Sequence, residues 1–144
     1  MDSIRVLVVE DSAVFRQFVR NTIEEEISSV RITEASDGLA AVQLALQIAP
    51  DLIVLDLGLP SLNGLEVAKI ILKASAESRI LFLSGESSKD IVQEAFRIGA
   101  RAYVVKSDAG DELKAALRAV LRGDRFVSRR GGGFNLSAGL KLLV

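Results

Sequence analysis

Apolar residues alternate between two patterns along the chain. Short and nearly continuous apolar runs, of which 4–9 and 52–55 are the clearest, are typical of strands buried on both faces of a sheet. Between these runs, apolar residues recur every three or four positions, as in amphipathic helices. The two patterns alternate and predict strands at 4–9, 30–35, 52–55, 79–83 and 102–105, and helices at about 14–27, 39–48, 65–73, 89–98 and 111–122.

Candidate capping residues stand at several of these boundaries. Ser12 and Ser88 precede predicted helices as N-caps, whereas Gly99 and Gly123 follow predicted helices as C-caps. Pro50 ends the second helix. Strands and helices in regular alternation predict a doubly wound α/β fold, in which helices cover both faces of a five-stranded parallel sheet.

The character of the chain changes after residue 126. Residues 129–133 are two arginines and three glycines and are expected to form a flexible linker, and 134–144 is a short, partly apolar tail. A length of 144 residues fits one domain. We therefore predict one domain at 1–128, followed at 129–144 by a Gly-rich linker and C-terminal tail that is either disordered or a docking segment.

The composition excludes several kinds of chemistry. The 144 residues include no cysteine and no histidine, which excludes disulfides, thiolate metal sites, histidine-ligated zinc and serine–histidine triads. A formal net charge of -1 gives no indication of a nucleic-acid or membrane surface. The N-terminus shows no secretory signal and no apolar run is long enough for a membrane span, so a cytoplasmic location is expected.

Reactive side chains follow four of the predicted strands. In open α/β sheets, ligands bind outside the carboxyl ends of the strands, so these side chains are expected to meet at one edge. Taken singly, each could be a helix cap, a turn residue or a surface charge, but four strand ends together favour a site. The residues are Glu10 and Asp11 after the first strand, Asp56 after the third, Ser84 and Gly85 after the fourth, and Lys106 after the fifth.

The chemistry of this cluster favours phosphoryl transfer. Three neighbouring carboxylates raise one another's pKa unless a divalent cation relieves the repulsion, and carboxylates suit Mg²⁺ or Mn²⁺. Lys106 can pair with an incoming anion, while the Ser84 hydroxyl and the Gly85 amide can donate hydrogen bonds to its oxygens. Asp56 is then a competent nucleophile for forming an aspartyl phosphate.

At these residues the chain closely resembles the receiver domains of response regulators, the CheY-like domains of two-component signalling. The resemblance covers about residues 4–127 and includes the turn at 63–66 and the segment 99–103. The stretch 123–128 resembles the branch of the family that is often joined to a LuxR-type helix-turn-helix, although this chain carries no recognisable helix-turn-helix. The resemblance implies a flavodoxin-like (βα)5 fold with strand order 2-1-3-4-5.

The resemblance also implies a role for each residue of the cluster. Asp56 would accept the phosphoryl group, and Lys106 would contact it. Asp11 would bind Mg²⁺ directly and Glu10 mostly through water. Asp56 and the backbone carbonyl of Gly58 would be the further ligands.

Two residues are implied to transmit the signal. Ser84 would turn toward the phosphoryl group beside the Gly85 backbone, and Tyr103 would swing inward behind it as the switch aromatic. A sensor histidine kinase or a phosphotransfer protein would donate the group, because this chain has no histidine. The expected output is altered binding of an unidentified downstream protein, with a homodimer possible and no direct contact with nucleic acid or membrane. Hydrolysis should be slow and intrinsic, so the chain is not expected to be an enzyme.

One position departs from the family pattern. Lys106 is followed by Ser107, whereas many receivers have a cis proline there. A cis peptide bond is not expected without proline, and the loop after Lys106 is expected to be looser.

Three other functions stay open. A phosphohydrolase of the haloacid-dehalogenase type would need a second aspartate two residues after Asp56, where this chain has Gly58. A flavodoxin-like nucleotide binder would need an anion-binding loop after the first strand, where Glu10 and Asp11 would repel phosphate. The third is a receiver-like interaction module that no longer uses phosphorylation.

Overall fold

The computed structural model describes residues 3–136. The rest of the predicted C-terminal tail, 137–144, lies outside the described residues. Within them, the strands are β1 Ile4–Val9, β2 Val30–Ala35, β3 Leu52–Asp56, β4 Arg79–Ser84, β5 Ala102–Val105, β6 Arg125–Val127 and β7 Phe134–Leu136. The helices are α1 Ala13–Glu26, α2 Gly38–Ile48, α3 Gly64–Ala74, α4 Lys89–Ile98 and α5 Ala109–Arg122, with 3-10 turns at Lys106–Asp108 and Arg129–Gly131.

The sheet has the strand order β2-β1-β3-β4-β5-β6-β7. Its first five strands are parallel, so the predicted doubly wound fold with the order 2-1-3-4-5 is confirmed. Two short strands extend this sheet beyond β5: β6 pairs with β5 in parallel, and β7 pairs with β6 in antiparallel orientation. The sequence pattern does not predict them because three residues are too few to show a strand period.

The core lies on both faces of the sheet, because successive side chains of a strand point to opposite faces. One face packs against α2, α3 and α4, and the other against α1 and α5. The first face carries Leu7, Val9, Ile53, Leu55, Ile80, Phe82, Tyr103 and Val105, and the second carries Val6, Val8, Leu52, Val54, Leu81, Leu83, Ala102 and Val104. This two-sided burial explains why the central strands are apolar without a break.

Side-chain caps begin four of the helices. The predicted N-caps Ser12 and Ser88 accept hydrogen bonds from backbone N–H groups three residues later, at 3.2 and 3.3 Å. Asp37 and Asn63 are the corresponding N-caps of α2 and α3. The sequence analysis did not predict these two caps. Gly99 and Gly123 follow α4 and α5 as predicted.

The segment after Lys106 differs from the sequence expectation. It forms the 3-10 turn Lys106–Asp108, which continues into α5, so this helix begins at Ala109 instead of Asp111. No described peptide bond is cis. The Asp108 carboxylate, at the end of this turn, accepts two hydrogen bonds from Arg130.

The C-terminal part of the described chain packs against the domain. Residues 129–133, predicted as a linker, begin with the turn Arg129–Gly131 and lead into β7. The boundary at residue 128 stays a prediction. None of the helices within 3–136 combines the length and the apolar character that crossing a membrane requires.

Gly64→Ala is expected to destabilise the protein. Gly64 donates a hydrogen bond to the Leu57 carbonyl at 2.9 Å, and a Cβ on Gly64 would lie 2.4 Å from the Asp56 carbonyl oxygen. Because backbone atoms cannot rotate away, the free energy of unfolding should fall by about 1–3 kcal/mol in urea denaturation.

Gly110→Ala is the matched control for this variant. A Cβ on Gly110, in α5, meets nothing within 4 Å. Alanine is the better helix former, so this variant should gain up to about 1 kcal/mol. An unchanged urea midpoint for Gly64→Ala would contradict the close approach of the two backbones.

Candidate functional site

The carboxyl ends of β1, β3, β4 and β5 meet at one edge of the sheet, around an open pocket of about 610 Å³. The pocket forms there because these strands are parallel neighbours whose connecting loops leave the same edge. Of the residues predicted for the site, six line the pocket: Asp11, Asp56, Gly58, Ser84, Gly85 and Lys106. The two others, Glu10 and Tyr103, are buried.

The Lys106 ammonium joins two buried carboxylates. Its Nζ lies 2.7 Å from Glu10 Oε1 and 3.2 Å from Asp56 Oδ2. The side chains of Glu10 and Asp56 are only 2% and 7% exposed, and that of Lys106 is 27% exposed. A cation from the end of β5 therefore balances carboxylates from the ends of β1 and β3.

Backbone N–H groups orient the same two carboxylates. Ser12 N–H donates to Glu10 Oε2 at 2.9 Å, and Gly58 N–H donates to Asp56 Oδ1 at 3.0 Å. Glu10 Oε1 lies 2.7 Å from the Lys106 ammonium, which is its charge-assisted partner. Each of the two carboxylates is thus held by one backbone N–H and by Lys106.

The pKa values of Glu10 and Lys106 are shifted by burial and by the contacts within the triad, defined as Glu10, Asp56 and Lys106. Burial raises the pKa of Glu10, and the Asp56 charge adds to this, although Lys106 and the Ser12 N–H oppose the shift. Burial alone would lower the pKa of Lys106, but contact with Glu10 and Asp56 outweighs it and raises the pKa. Lys106 therefore stays a cation at neutral pH.

The acidic residues are close enough to share a cation. Carboxylate oxygens of Glu10, Asp11 and Asp56 lie within 4.8 Å of one another. Asp11 is exposed toward solvent, whereas the other two are buried. An all-oxygen donor set of three carboxylates fits a hard cation such as Mg²⁺ or Mn²⁺.

Ser84 and Tyr103 are linked through Glu86. Ser84 Oγ accepts a hydrogen bond from Glu86 N–H at 3.0 Å, and the Tyr103 hydroxyl donates to the Glu86 carbonyl at 2.8 Å. Tyr103 is fully buried, with its ring centroid 6.4 Å from that of Phe82. Burial raises the pKa of the Tyr103 phenol. Tyr103, the predicted switch aromatic, thus lies inside the domain in this structure. The space beside Gly85 is open, since a Cβ on this residue would meet nothing within 4 Å.

Two residues of α1 that the sequence reading did not assign to the site contact it. Lys106 Nζ lies 4.9 Å from the centroid of the Phe15 ring, at a cation–π distance. Arg16 donates to the Glu10 carbonyl at 2.7 Å and pairs with Glu34 at 2.9 Å. In the sequence, Phe15 is one of the apolar residues of a predicted helix, so nothing marks it as part of the site. For Arg16, the only sequence signal is that a basic residue follows the acidic pair Glu10-Asp11 by a few positions.

The chain matches the family model described as the response regulator receiver domain over residues 6–118. It is 34% identical over 123 residues to the uncharacterized transcriptional regulatory protein YxjL of Bacillus subtilis, covering 85% of this chain and 56% of that protein. It is 39% identical over 105 residues to a protein-glutamate methylesterase/protein-glutamine glutaminase of Thermotoga maritima, covering 72% of this chain and 30% of that protein. The chain therefore spans about half or less of these relatives.

A solved structure shows the same architecture. The LuxR-family two-component response regulator from Aurantimonas sp. SI85-9A1 superposes with a TM-score of 0.79 at 31% sequence identity. The superposition covers 88% of this chain and 90% of that one. The family match ends at residue 118, before β6 and β7.

Glu10→Gln is expected to become more stable relative to the wild type as the pH rises. Because burial raises the pKa of Glu10 in the folded protein, the folded state holds this proton more tightly than the unfolded chain. Stability contributed by Glu10 is therefore lost as the pH rises from its unfolded pKa through its folded pKa. The glutamine variant has no such proton to lose.

The measurement is urea denaturation of both proteins from about pH 4 to pH 7, the range around the ordinary pKa of a glutamate. Replacement of the exposed Glu77 by glutamine reports the effect of removing one surface charge. A stability difference between Glu10→Gln and the wild type that stays constant over this range would contradict the raised pKa.

Proposed function

Because the chain belongs to the response regulator receiver domain family, we propose that it accepts a phosphoryl group on Asp56 within a two-component system. One observation carries this proposal. The Asp56 carboxylate lies in the pocket between the Lys106 ammonium at 3.2 Å and the Gly58 N–H at 3.0 Å, with the Glu10 and Asp11 carboxylates beside it. A nucleophile, a cation for the transferred charge and a set of metal ligands therefore share one place.

The donor is a phosphohistidine of a sensor kinase or of a phosphotransfer protein, since this chain has no histidine. A carboxylate oxygen of Asp56 attacks the phosphorus atom. The bond between phosphorus and the donor nitrogen breaks, and that nitrogen keeps the electron pair and takes up a proton from solvent. Gly58 N–H orients Asp56 for the attack, and Lys106 neutralises charge on the phosphoryl oxygens.

The acidic cluster is the proposed site of Mg²⁺ or Mn²⁺. Asp11 and Asp56 would bind the ion directly, Glu10 mostly through water, and the Gly58 carbonyl would add a ligand. When bound, the ion supplies positive charge that offsets the three carboxylates and the phosphoryl oxygens. The carboxylates of this chain would hold and orient it at the edge of the sheet.

The signal leaves the site through Ser84. When the Ser84 hydroxyl turns to donate to a phosphoryl oxygen, its hydrogen bond from the Glu86 N–H is lost. Because the Glu86 carbonyl also accepts from the buried Tyr103 hydroxyl, the loop between β4 and α4 shifts together with the aromatic ring. The face formed by α4, β5 and α5 then changes its affinity for a downstream protein or for a second copy of the chain.

The proposed role is that of a switch. One relative is named as a methylesterase, but this chain spans 30% of it. In this chain Gly58 occupies the position two residues after Asp56, where a phosphohydrolase of the haloacid-dehalogenase type would need an acid/base. Asp56 should therefore hold its phosphoryl group and release it only by slow hydrolysis in the cytoplasm.

Asp56→Asn is expected to abolish phosphorylation. The wild type, incubated with Mg²⁺ and a small phosphodonor such as phosphoramidate, should gain the mass of one phosphoryl group in intact mass spectrometry. The side-chain amide that replaces the carboxylate is no nucleophile for this reaction, so the variant should gain nothing. Removing the metal with a chelator should suppress the gain in the wild type.

Asp51→Asn is the matched control because Asp51 lies at the opposite end of β3 and pairs with Arg5. It should be modified like the wild type. Equal labelling of the Asp56 variant would contradict the assignment of the acceptor. A wild type that gains nothing from any phosphodonor would instead favour an interaction module that works without phosphorylation.

A bulky residue at Gly58 is expected to lengthen the lifetime of the phosphoryl group. A Cβ at this position would lie 3.9 Å from Asp56 Oδ1, an ordinary contact, and a longer side chain is expected to extend from there into the pocket beside the acceptor. Water then reaches the phosphorus atom less easily. Gly58→Leu should slow dephosphorylation after the donor is removed. Gly110→Leu, in α5 and outside the residues that line the pocket, serves as the control. An unchanged decay rate for Gly58→Leu would count against this path for water.

A further inference from the structure

The C-terminal strap, defined as residues 125–133, packs against the turn that carries Lys106. We propose that this strap belongs to the framework of the phosphorylation site, and that Arg130 and Asp108 are positioning residues for Lys106. The proposal rests on the proposed function, in which the Lys106 ammonium contacts the phosphoryl group. The strap lies outside the residues matched by the family model, 6–118.

The first observation is a buried charge that the phosphorylation chemistry does not use. The side chain of Asp108 is 0% exposed, and its carboxylate accepts hydrogen bonds from Arg130 N–H at 2.8 Å and from Arg130 Nη1 at 2.7 Å. Hydrogen bonds from Arg130 and Ser128 lower the pKa of Asp108 although burial alone would raise it. Asp108 ends the 3-10 turn that begins at Lys106.

The second observation is that the strap is bonded on both sides of Lys106. Val105 N–H donates to the buried Ser128 Oγ at 2.9 Å, and Ser128 N–H donates to the Tyr103 carbonyl at 3.0 Å. Asp108, two residues after Lys106, binds Arg130. The backbone that carries Lys106 is therefore held before and after this residue by the same short segment.

The strap also contacts the switch aromatic. A Cβ on Gly131 would lie 2.9 Å from Val127 Cγ1 and 3.8 Å from Tyr103 Cδ1. The absence of a side chain at Gly131 thus lets the strap backbone pack closely against these two side chains. The same segment contacts both Tyr103 of β5 and the turn that begins at Lys106, directly after β5.

Asp108 is the buried partner of this pair, whereas the Arg130 side chain is 57% exposed. Without the Arg130 guanidinium, the Asp108 carboxylate keeps the hydrogen bonds from the N–H of residue 130 and from Ser128 but loses its cation. The turn Lys106–Asp108 is then expected to open so that water can reach the carboxylate. Lys106 is a long and flexible side chain that contacts Glu10 and Asp56 only if its backbone is fixed. Opening of the turn would therefore misplace its ammonium.

The test compares Arg130→Ala with Arg129→Ala. The side chain of Arg129 is 71% exposed and lies 4.0 Å from the exposed Asp111, and its backbone N–H, which binds Glu112, is kept in the variant. Arg130→Lys keeps a positive charge beside Asp108 and should recover part of the loss. Thermal melts select a temperature at which all the variants are folded.

The first measurement reports the position of Lys106 without phosphorylation. Because Lys106 Nζ lies over the Phe15 ring, the neighbouring methylene protons should have ring-current-shifted NMR resonances. Arg130→Ala should move them toward the values of an exposed lysine, and Arg129→Ala should leave them unchanged. Unchanged resonances in Arg130→Ala would overturn the proposal, even if the wild type were to accept no phosphoryl group and the proposed function failed.

The second measurement is the rate of Asp56 phosphorylation by phosphoramidate. Arg130→Ala should be slower by roughly 10- to 100-fold, the range expected when a catalytic group is misplaced. In a Lys106→Met background, Arg130→Ala should cause no further loss, because the strap acts through Lys106. An equal loss in both backgrounds would mean a general structural effect and would overturn the proposal.

Discussion

Two carboxylates, those of Glu10 and Asp56, are buried side by side at the carboxyl edge of the sheet, and the Lys106 ammonium contacts both. Without that cation, two like charges would share a site with little water to screen them. Three parts of the domain supply the triad: the ends of β1, β3 and β5. The register of the parallel sheet brings them together, and the loops around them are held by hydrogen bonds from Ser12 and Gly58.

The proposed function requires one carboxylate site both to attract a cation and to receive an anion. The acidic cluster offers oxygen ligands on the pocket side, while Lys106 can exchange a carboxylate partner for a phosphoryl oxygen. The chain of hydrogen bonds from Ser84 through Glu86 to Tyr103 connects the pocket with the interior of the domain.

The surroundings of Lys106 reach further than the strand that carries it. Phe15 places an aromatic face beside its ammonium, and Asp108 ties its turn to Arg130 of the strap. The first helix thus contacts Lys106 itself, and the strap contacts the turn that begins at Lys106.

The sequence by itself determined the alternating elements, the doubly wound sheet and the four reactive strand ends, because burial on two faces and helical amphipathicity leave periodic patterns within short windows. Only the tertiary structure decided that Lys106 pairs with Glu10 as well as Asp56, and that Arg130 pairs with Asp108. Those distances join residues remote along the chain and depend on strand register and side-chain direction. β6 and β7 also could not be predicted from the sequence. Three-residue strands are stabilised by pairing with a neighbouring strand and are too short to show an alternation of apolar and polar residues.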